Sequence, residues 1–271
     1  MTGILALVAV GTIGPNNAHS SSRSGVATAA ATHLKFTVAL PSTNIQPNPN
    51  FLATCTPSNQ SALCLGEEIE AIDNARAHEG LAPVDIRVST WRHLTAPQQL
   101  FAIANLERTS RHLPAIAAMT RQLNGVAAVG ASQAVDPSLG GWTLSGGRRA
   151  VAWGSNWAGG ITDLAANYYW MYDDGTGVNV DCTPSNSAGC WGHRKNILAT
   201  STSSCPQGGT PRFFMGAAVT TAGRYQPSDA EIMVQACGAA PSDVVFTWAQ
   251  AQRILKIRPL STATTAPILG A

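Results

Sequence analysis

Six cysteines, Cys55, Cys64, Cys182, Cys190, Cys205 and Cys237, constrain this chain more than any other feature. An even count suggests full pairing, although six cysteines leave many connectivities open. Spacing favours three local links: Cys55–Cys64, Cys182–Cys190 and Cys205–Cys237. The first two close short loops rich in Pro, Ser and Asn (Thr56-Pro57-Ser58-Asn59 and Thr183-Pro184-Ser185-Asn186). Turn-forming loops of this kind bring Cα atoms within bridging distance. The third link joins a loop to the end of a strand. The competing reading is zinc, since Cys190 and His193 have a C-x-x-H spacing, but no second closely spaced ligand pair accompanies them. Disulfides imply an oxidising compartment, hence the cell exterior. They also leave no free thiol to act as a nucleophile.

The chain has 271 residues, enough for one large domain or two small ones, and 45% of them are apolar, so a real core can be buried. Only 12% are charged, about half the usual share, and the surface must rely on Ser, Thr, Asn, Gln and Gly. Lys plus Arg is 17 against 15 Asp plus Glu. That balance excludes a nucleic-acid binder that works by charge alone. The charge is also unevenly placed, with no acid before Glu67. Residues 1–54 read as a signal-like segment and flexible leader, 55–258 as the folded unit and 259–271 as a flexible tail. The apolar run Gly3 to Ile13 is too short to span a bilayer and suits the hydrophobic part of a secretory signal, although no Lys or Arg precedes it. No other run approaches a transmembrane length.

Periodicity predicts a helix over Glu67 to Glu79, closed by Gly80. A second helix starts at Thr95, where Gln98 completes a capping-box pattern, and ends before Pro114. A third covers Ala115 to Ala134 and stops at Asp136-Pro137. A Gly/Ser/Trp-rich stretch, Ser138 to Gly160, precedes a fourth helix over Thr162 to Tyr172. A short helical piece follows at Gly192 to Leu198. Strand-like runs cover Phe213 to Thr221, Glu231 to Cys237 and Val244 to Trp248, and a last helix runs to Lys256. Helices first and late strands joined by short turns favour α+β with an antiparallel sheet.

The densest motifs are Trp153-Gly154-Ser155-Asn156-Trp157, Tyr169-Trp170-Met171-Tyr172-Asp173-Asp174 and Trp191-Gly192-His193-Arg194-Lys195-Asn196-Ile197-Leu198. Here the sequence resembles the CAP superfamily (cysteine-rich secretory, antigen 5 and pathogenesis-related proteins, or SCP domains). The Gly-His-Arg-x-Asn-Ile-Leu run after a Trp-Met helix looks like that family's bacterial signature. Met233 to Gly238 resembles its late strand, and Asn105-Leu106-Glu107-Arg108 with Leu113-Pro114 resembles its early helix. The resemblance covers roughly Gly66 to Gly238. It implies a three-layer α-β-α sandwich and a cleft lined by two His and one or two Glu, able to hold a divalent metal.

That set carries over only in part. His193 matches the motif His. Ser155 stands where the family's Glu should be. The second His should lie near Ala134 to Ser138, where Asp136 is the nearest polar residue. The resemblance therefore implies a degenerate cleft, with no metal and no cofactor. Its candidate site residues are His193, Ser155 and Asp136.

Other features carry plainer readings. Glu107, mid-helix beside Arg108, reads as a salt bridge between helices. Asp173, Asp174, Asn179 and Asp181 offer oxygens to calcium, but the spacing is not an EF-hand and the Asp pair suits a turn. Trp142, Trp153, Trp157, Trp170 and Trp191 are core residues or the wall of a sugar- or lipid-binding groove. There is no G-x-S-x-G, H-E-x-x-H, P-loop or G-x-G-x-x-G. Nothing in the spacing demands a Ser155–His193–Asp136 triad.

The leading expectation is a secreted, non-catalytic CAP-like domain binding a lipid, a cell-wall component or a protein partner. The alternative is a secreted hydrolase of peptide or glycan with His193 as general base, which requires Glu107 or Asp136 to converge on the imidazole. A third reading is a surface protein with no small ligand.

Overall fold

The computed structural model describes residues 38–41, 43–56, 60–140, 143–174, 191–200, 204–205, 208–238 and 240–257. Helix α1 (Ala62–His78) starts earlier than its apolar stripe suggests, because the Ser61 side chain accepts from the Cys64 amide and nucleates the first turn. A short helix α2 (Val88–Trp91) leads to α3 (Ala96–Thr109), where Thr95 and Gln98 form the expected capping box. The predicted third helix divides in two. Residues 118–120 form strand β1 (Ala118–Thr120), and only then does α4 (Arg121–Gln133) begin, capped by the Thr120 hydroxyl. The Gly/Ser/Trp-rich stretch contains β2 (Thr143–Leu144) and the twelve-residue β3 (Arg148–Gly159). Then follow α5 (Asp163–Tyr172), α6 (Gly192–Ile197), β4 (Arg212–Thr220), β5 (Ser228–Cys237), β6 (Val244–Thr247) and α7 (Trp248–Leu255).

The architecture is α+β. Among the described residues, six strands form one sheet in the order β2-β3-β5-β4-β1-β6. Every pairing is antiparallel except β1–β4, which is parallel, so the sheet is mixed rather than purely antiparallel. Side-chain alternation divides the sheet into two faces. Leu123 and Ala127 of α4 cover one face and pack with Phe214, Ile232, Val234 and Ala236. Phe213, Met215, Ala217 and Met233 point to the other, into the larger core shared with α1, α3 and α5. Gly216 permits the close approach of α4: a Cβ there would lie 2.1 Å from the Leu123 carbonyl carbon and oxygen.

Two disulfides staple this framework, Cys55–Cys64 and Cys205–Cys237, as spacing predicts. The expected Cys182–Cys190 link lies outside the described residues, as do the signal-like segment and the tail. The folded unit begins before residue 55. Phe51 is fully buried against Tyr168, the Ile45 amide donates to the Tyr172 carbonyl, and Tyr168 donates back to the Ile45 carbonyl. An apolar aromatic and two satisfied backbone groups fix this segment despite its leader-like composition. Among the described residues, no helix is long and apolar enough to cross a membrane.

Candidate functional site

His193 sits in the first turn of α6, which lies over β3 on the face away from α4. Trp191 enters this helix in the left-handed conformation, with φ of 60°. Asp174, just past α5, holds the helix start. One carboxylate oxygen accepts from the amides of His193 (3.0 Å) and Arg194 (3.4 Å), and the other lies 2.7 Å from His193 Nδ1. The imidazole stacks on Trp170 with centroids 6.3 Å apart. Its remaining nitrogen, Nε2, faces Asp136 Oδ1 at 4.0 Å. His193 is 2% exposed, whereas the Asp136 side chain is 18% exposed.

Asp136 reaches this point because Ala134 ends α4 in the left-handed conformation and turns the chain. The fold thus brings two of the candidate residues, Asp136 and His193, together. Ser155 is a different matter. It pairs in register with Ile232, which faces α4, while its neighbour Asn156 pairs with Glu231 on the α6 side. Opposed residues in an antiparallel ladder share a face, so the Ser155 hydroxyl and the Asn156 amide point to opposite sides of β3. What Ser155 supplies toward α6 is its carbonyl, which accepts from Asn196 Nδ2 at 2.8 Å.

Asn156 is the residue that meets α6. Its amide nitrogen donates to Glu231 Oε1 (2.7 Å) and to the His193 carbonyl (3.4 Å), and its oxygen accepts from Asn196 (2.9 Å). Burial lifts the Glu231 carboxyl from 4.5 to about 8, against the opposing pull of Asn156 and His193. Glu231 belongs to a wider group of buried acids. Burial raises Glu68 to about 8, despite the Thr162 hydroxyl, and raises Asp163 to about 7. Asp229 is driven up by burial and by Asp163, Glu231 and Glu68, and neither of its oxygens has a hydrogen-bond partner among the described residues. Asn156, Asn196 and these acids escaped the sequence reading, and Asp174 entered it as a turn or calcium residue rather than as the partner of His193. Three of them, Asp174, Asn156 and Asn196, lie within the quoted motifs, and period-two alternation along residues 153–157 would have put Asn156 on the face opposite Ser155.

Glu107 lies elsewhere and does not converge on His193. It is fully buried and ion-paired to Arg76 (2.7 Å) and Arg111 (2.5 Å), and Tyr172 donates to it at 2.7 Å. Burial alone would raise its carboxyl, but the two guanidinium groups and the hydrogen bonds hold it below its ordinary value. Arg111 and Arg194 both bind Glu79, so the network ties α1, α3, α5 and α6 together. The calcium reading loses Asp174 to His193 and Asp173 to Gln46 Nε2 (3.2 Å), while Asn179 and Asp181 lie outside the described residues.

The tryptophans are core rather than groove. Trp157 is buried and donates to Ser228 Oγ, and buried Trp170 donates to the Trp157 carbonyl. Trp191 is 2% exposed, Trp153 packs half-buried on the α4 side, and Trp142 is outside the described residues.

No family model, no curated protein and no solved structure matches this chain. The site must therefore be read from its own geometry. A histidine with a carboxylate on Nδ1 has its tautomer and ring orientation fixed. Such a ring can hold a proton, orient a polar group at Nε2, or simply lock a helix to a sheet.

Proposed function

We propose that this chain is an exported binding domain of the CAP type, whose cleft histidine organises the binding surface instead of performing acid/base chemistry. The carrying observation is the confinement of His193, which is 2% exposed with carboxylates facing both ring nitrogens. A base so enclosed gains little from accepting a substrate proton in the open. The hydroxyl named by the motif, Ser155, belongs to the opposite face of β3 from Asn156, the residue that meets α6. Export is supported by the two disulfides. The CAP assignment rests on the Gly192 to Leu198 and Met233 to Gly238 resemblances and on the α-β-α layering. The ligand class is a lipid, a cell-wall component or a protein partner at the cell exterior.

One observation favours a second reading. Asp136 approaches His193 Nε2 to 4.0 Å, the convergence that a hydrolase of peptide or glycan requires. One experiment separates the two. Purified protein and His193→Ala are incubated with peptidoglycan and with peptide libraries, and the supernatant and pellet are examined. Co-sedimentation of both proteins, with no released product, supports the binding domain. Product released by the native chain and lost in His193→Ala overturns it in favour of the hydrolase.

A further inference from the structure

Cys55, Cys64 and Glu68 each place one ligand atom within 4.8 Å of the other two, and all three residues are buried. Cys64 and Glu68 are four residues apart on α1, so one helix face presents both. Cys64 Sγ lies 3.6 Å from Glu68 Oε1. A tetrahedral zinc site, with Zn–S near 2.3 Å and Zn–O near 2.1 Å, has an S···O edge of roughly 3.6 Å. A disulfide sulfur has no proton to donate, so this contact gives Glu68 no partner in the oxidised chain unless the acid itself is the donor.

We propose that the Cys55–Cys64 disulfide occupies a latent site for a thiophilic divalent cation, formed when the bond is reduced and completed by Glu68. The proposal is independent of the function argued above. Reduction by a dithiol breaks the Cys55–Cys64 bond, yields two thiols and leaves the reductant as a cyclic disulfide. Binding of Zn2+ then displaces one proton from each thiol and one from Glu68. The two sulfurs need only part to their places around the ion, while the Glu68 edge is already set.

Several features prepare the site. Cys64 stands at the third position of α1, where the helix N-terminus favours thiolate. Glu68 Oε1 is held by the Thr162 hydroxyl, the kind of outer hydrogen bond that orients a ligating carboxylate. Glu68 Oε2 is buried with no hydrogen-bond partner among the described residues.

The test uses the full chain, reduced anaerobically with a phosphine and divided into samples with and without Zn2+. Each is pulsed with iodoacetamide, and alkylation is read cysteine by cysteine by peptide mass spectrometry. That resolution separates Cys55 and Cys64 from the other four cysteines. Zn2+ is expected to slow alkylation of both at least ~10-fold, and Glu68→Gln to remove most of this protection. Co2+ is expected to give a thiolate charge-transfer band that Glu68→Gln weakens. Equal alkylation with and without Zn2+ overturns the proposal, as does protection that persists unchanged in Glu68→Gln. A reduced chain that loses its near-ultraviolet dichroism and does not regain it with Zn2+ overturns it as well.

Discussion

Asp174 grips His193 twice, by its ring nitrogen at 2.7 Å and by its backbone amide at 3.0 Å. The same carboxylate takes the Arg194 amide, so one side chain holds both the imidazole and the start of α6. Asp174→Ala leaves three donors without their acceptor inside a buried layer. The expected cost is about 2–4 kcal/mol, read as a lower urea midpoint with an unchanged m-value. Loss of less than about 0.5 kcal/mol would mean that α6 is held mainly by the Asn196 contacts to β3.

The helices were largely legible because their signals are local. Thr95 and Gln98 form a capping box within four residues, and both bonds are present. The failures in the sheet are non-local. Residues 148–159 hold Gly, Ser, Asn and Trp, poor advertisements for a central strand, and become one by pairing with residues 228–237 far along the chain. Ala118 to Thr120 read as helix but are claimed by β4 on one side and β6 on the other. Ser155 lies on β3 with its side chain turned to the α4 face, since a shift of one residue in a strand turns the side chain across the sheet. Asp136 was legible because the chain must stop before Pro137 and return toward the sheet. Asp174 was not, because an Asp-Asp pair after a helix is equally a turn.

Glu107→Gln removes the acceptor charge between two buried guanidinium groups, Arg76 and Arg111. Uncompensated buried charge is expected to cost about 3–5 kcal/mol. Chemical denaturation at neutral pH checks this. A Glu107→Gln chain as stable as the native one would show that Glu79 and Tyr172 suffice to hold Arg111.

Gly216→Ala tests the seat of α4. The new Cβ would lie 2.1 Å from Leu123 backbone atoms and 2.6 Å from the Asn124 amide nitrogen, none of which can rotate away. The helix must lift, disturbing the Asn124 side chain that accepts from the Ala217 amide. The expected loss is about 2–3 kcal/mol, or roughly 4–12 °C in Tm for a domain of this size. Wild-type thermal stability in this variant would mean that α4 and β4 are less closely apposed.

The Cys205–Cys237 bond ties a loop to the end of β5 across 32 residues, with the β4–β5 hairpin inside the ring. Replacing both cysteines with serine frees that loop in the unfolded chain. The chain-entropy argument gives a cost of about 3–4 kcal/mol. Thermal unfolding of the double variant beside the native protein measures it, and a shift below about 2 °C would count against the bond as a principal staple.

The buried acids and Glu107 set opposite slopes of stability with pH. Glu68 and Glu231 are raised from 4.5 to about 8 and Asp163 from 3.8 to about 7, and Asp229 is raised as well, all chiefly by burial. A carboxyl raised on folding holds its proton more tightly in the native state. Its full stabilising effect is present below the unfolded pKa and is lost as pH rises through the folded value. Glu107 is lowered on folding, so its contribution is present above its unfolded value near 4.5 and is lost as pH falls. Stability is therefore expected to peak near pH 5 and to decline steadily to about pH 8. Asp229→Asn keeps the shape and removes a buried carboxyl that has no hydrogen-bond partner among the described residues. It should raise Tm at pH 8, leave pH 5 nearly unchanged and flatten the slope between them. Thermal unfolding of both chains at half-unit steps from pH 4 to 9 decides it: a native Tm that rises from pH 5 to 8 would mean that these four acids are ionised in the folded protein and balanced by charge from outside the group.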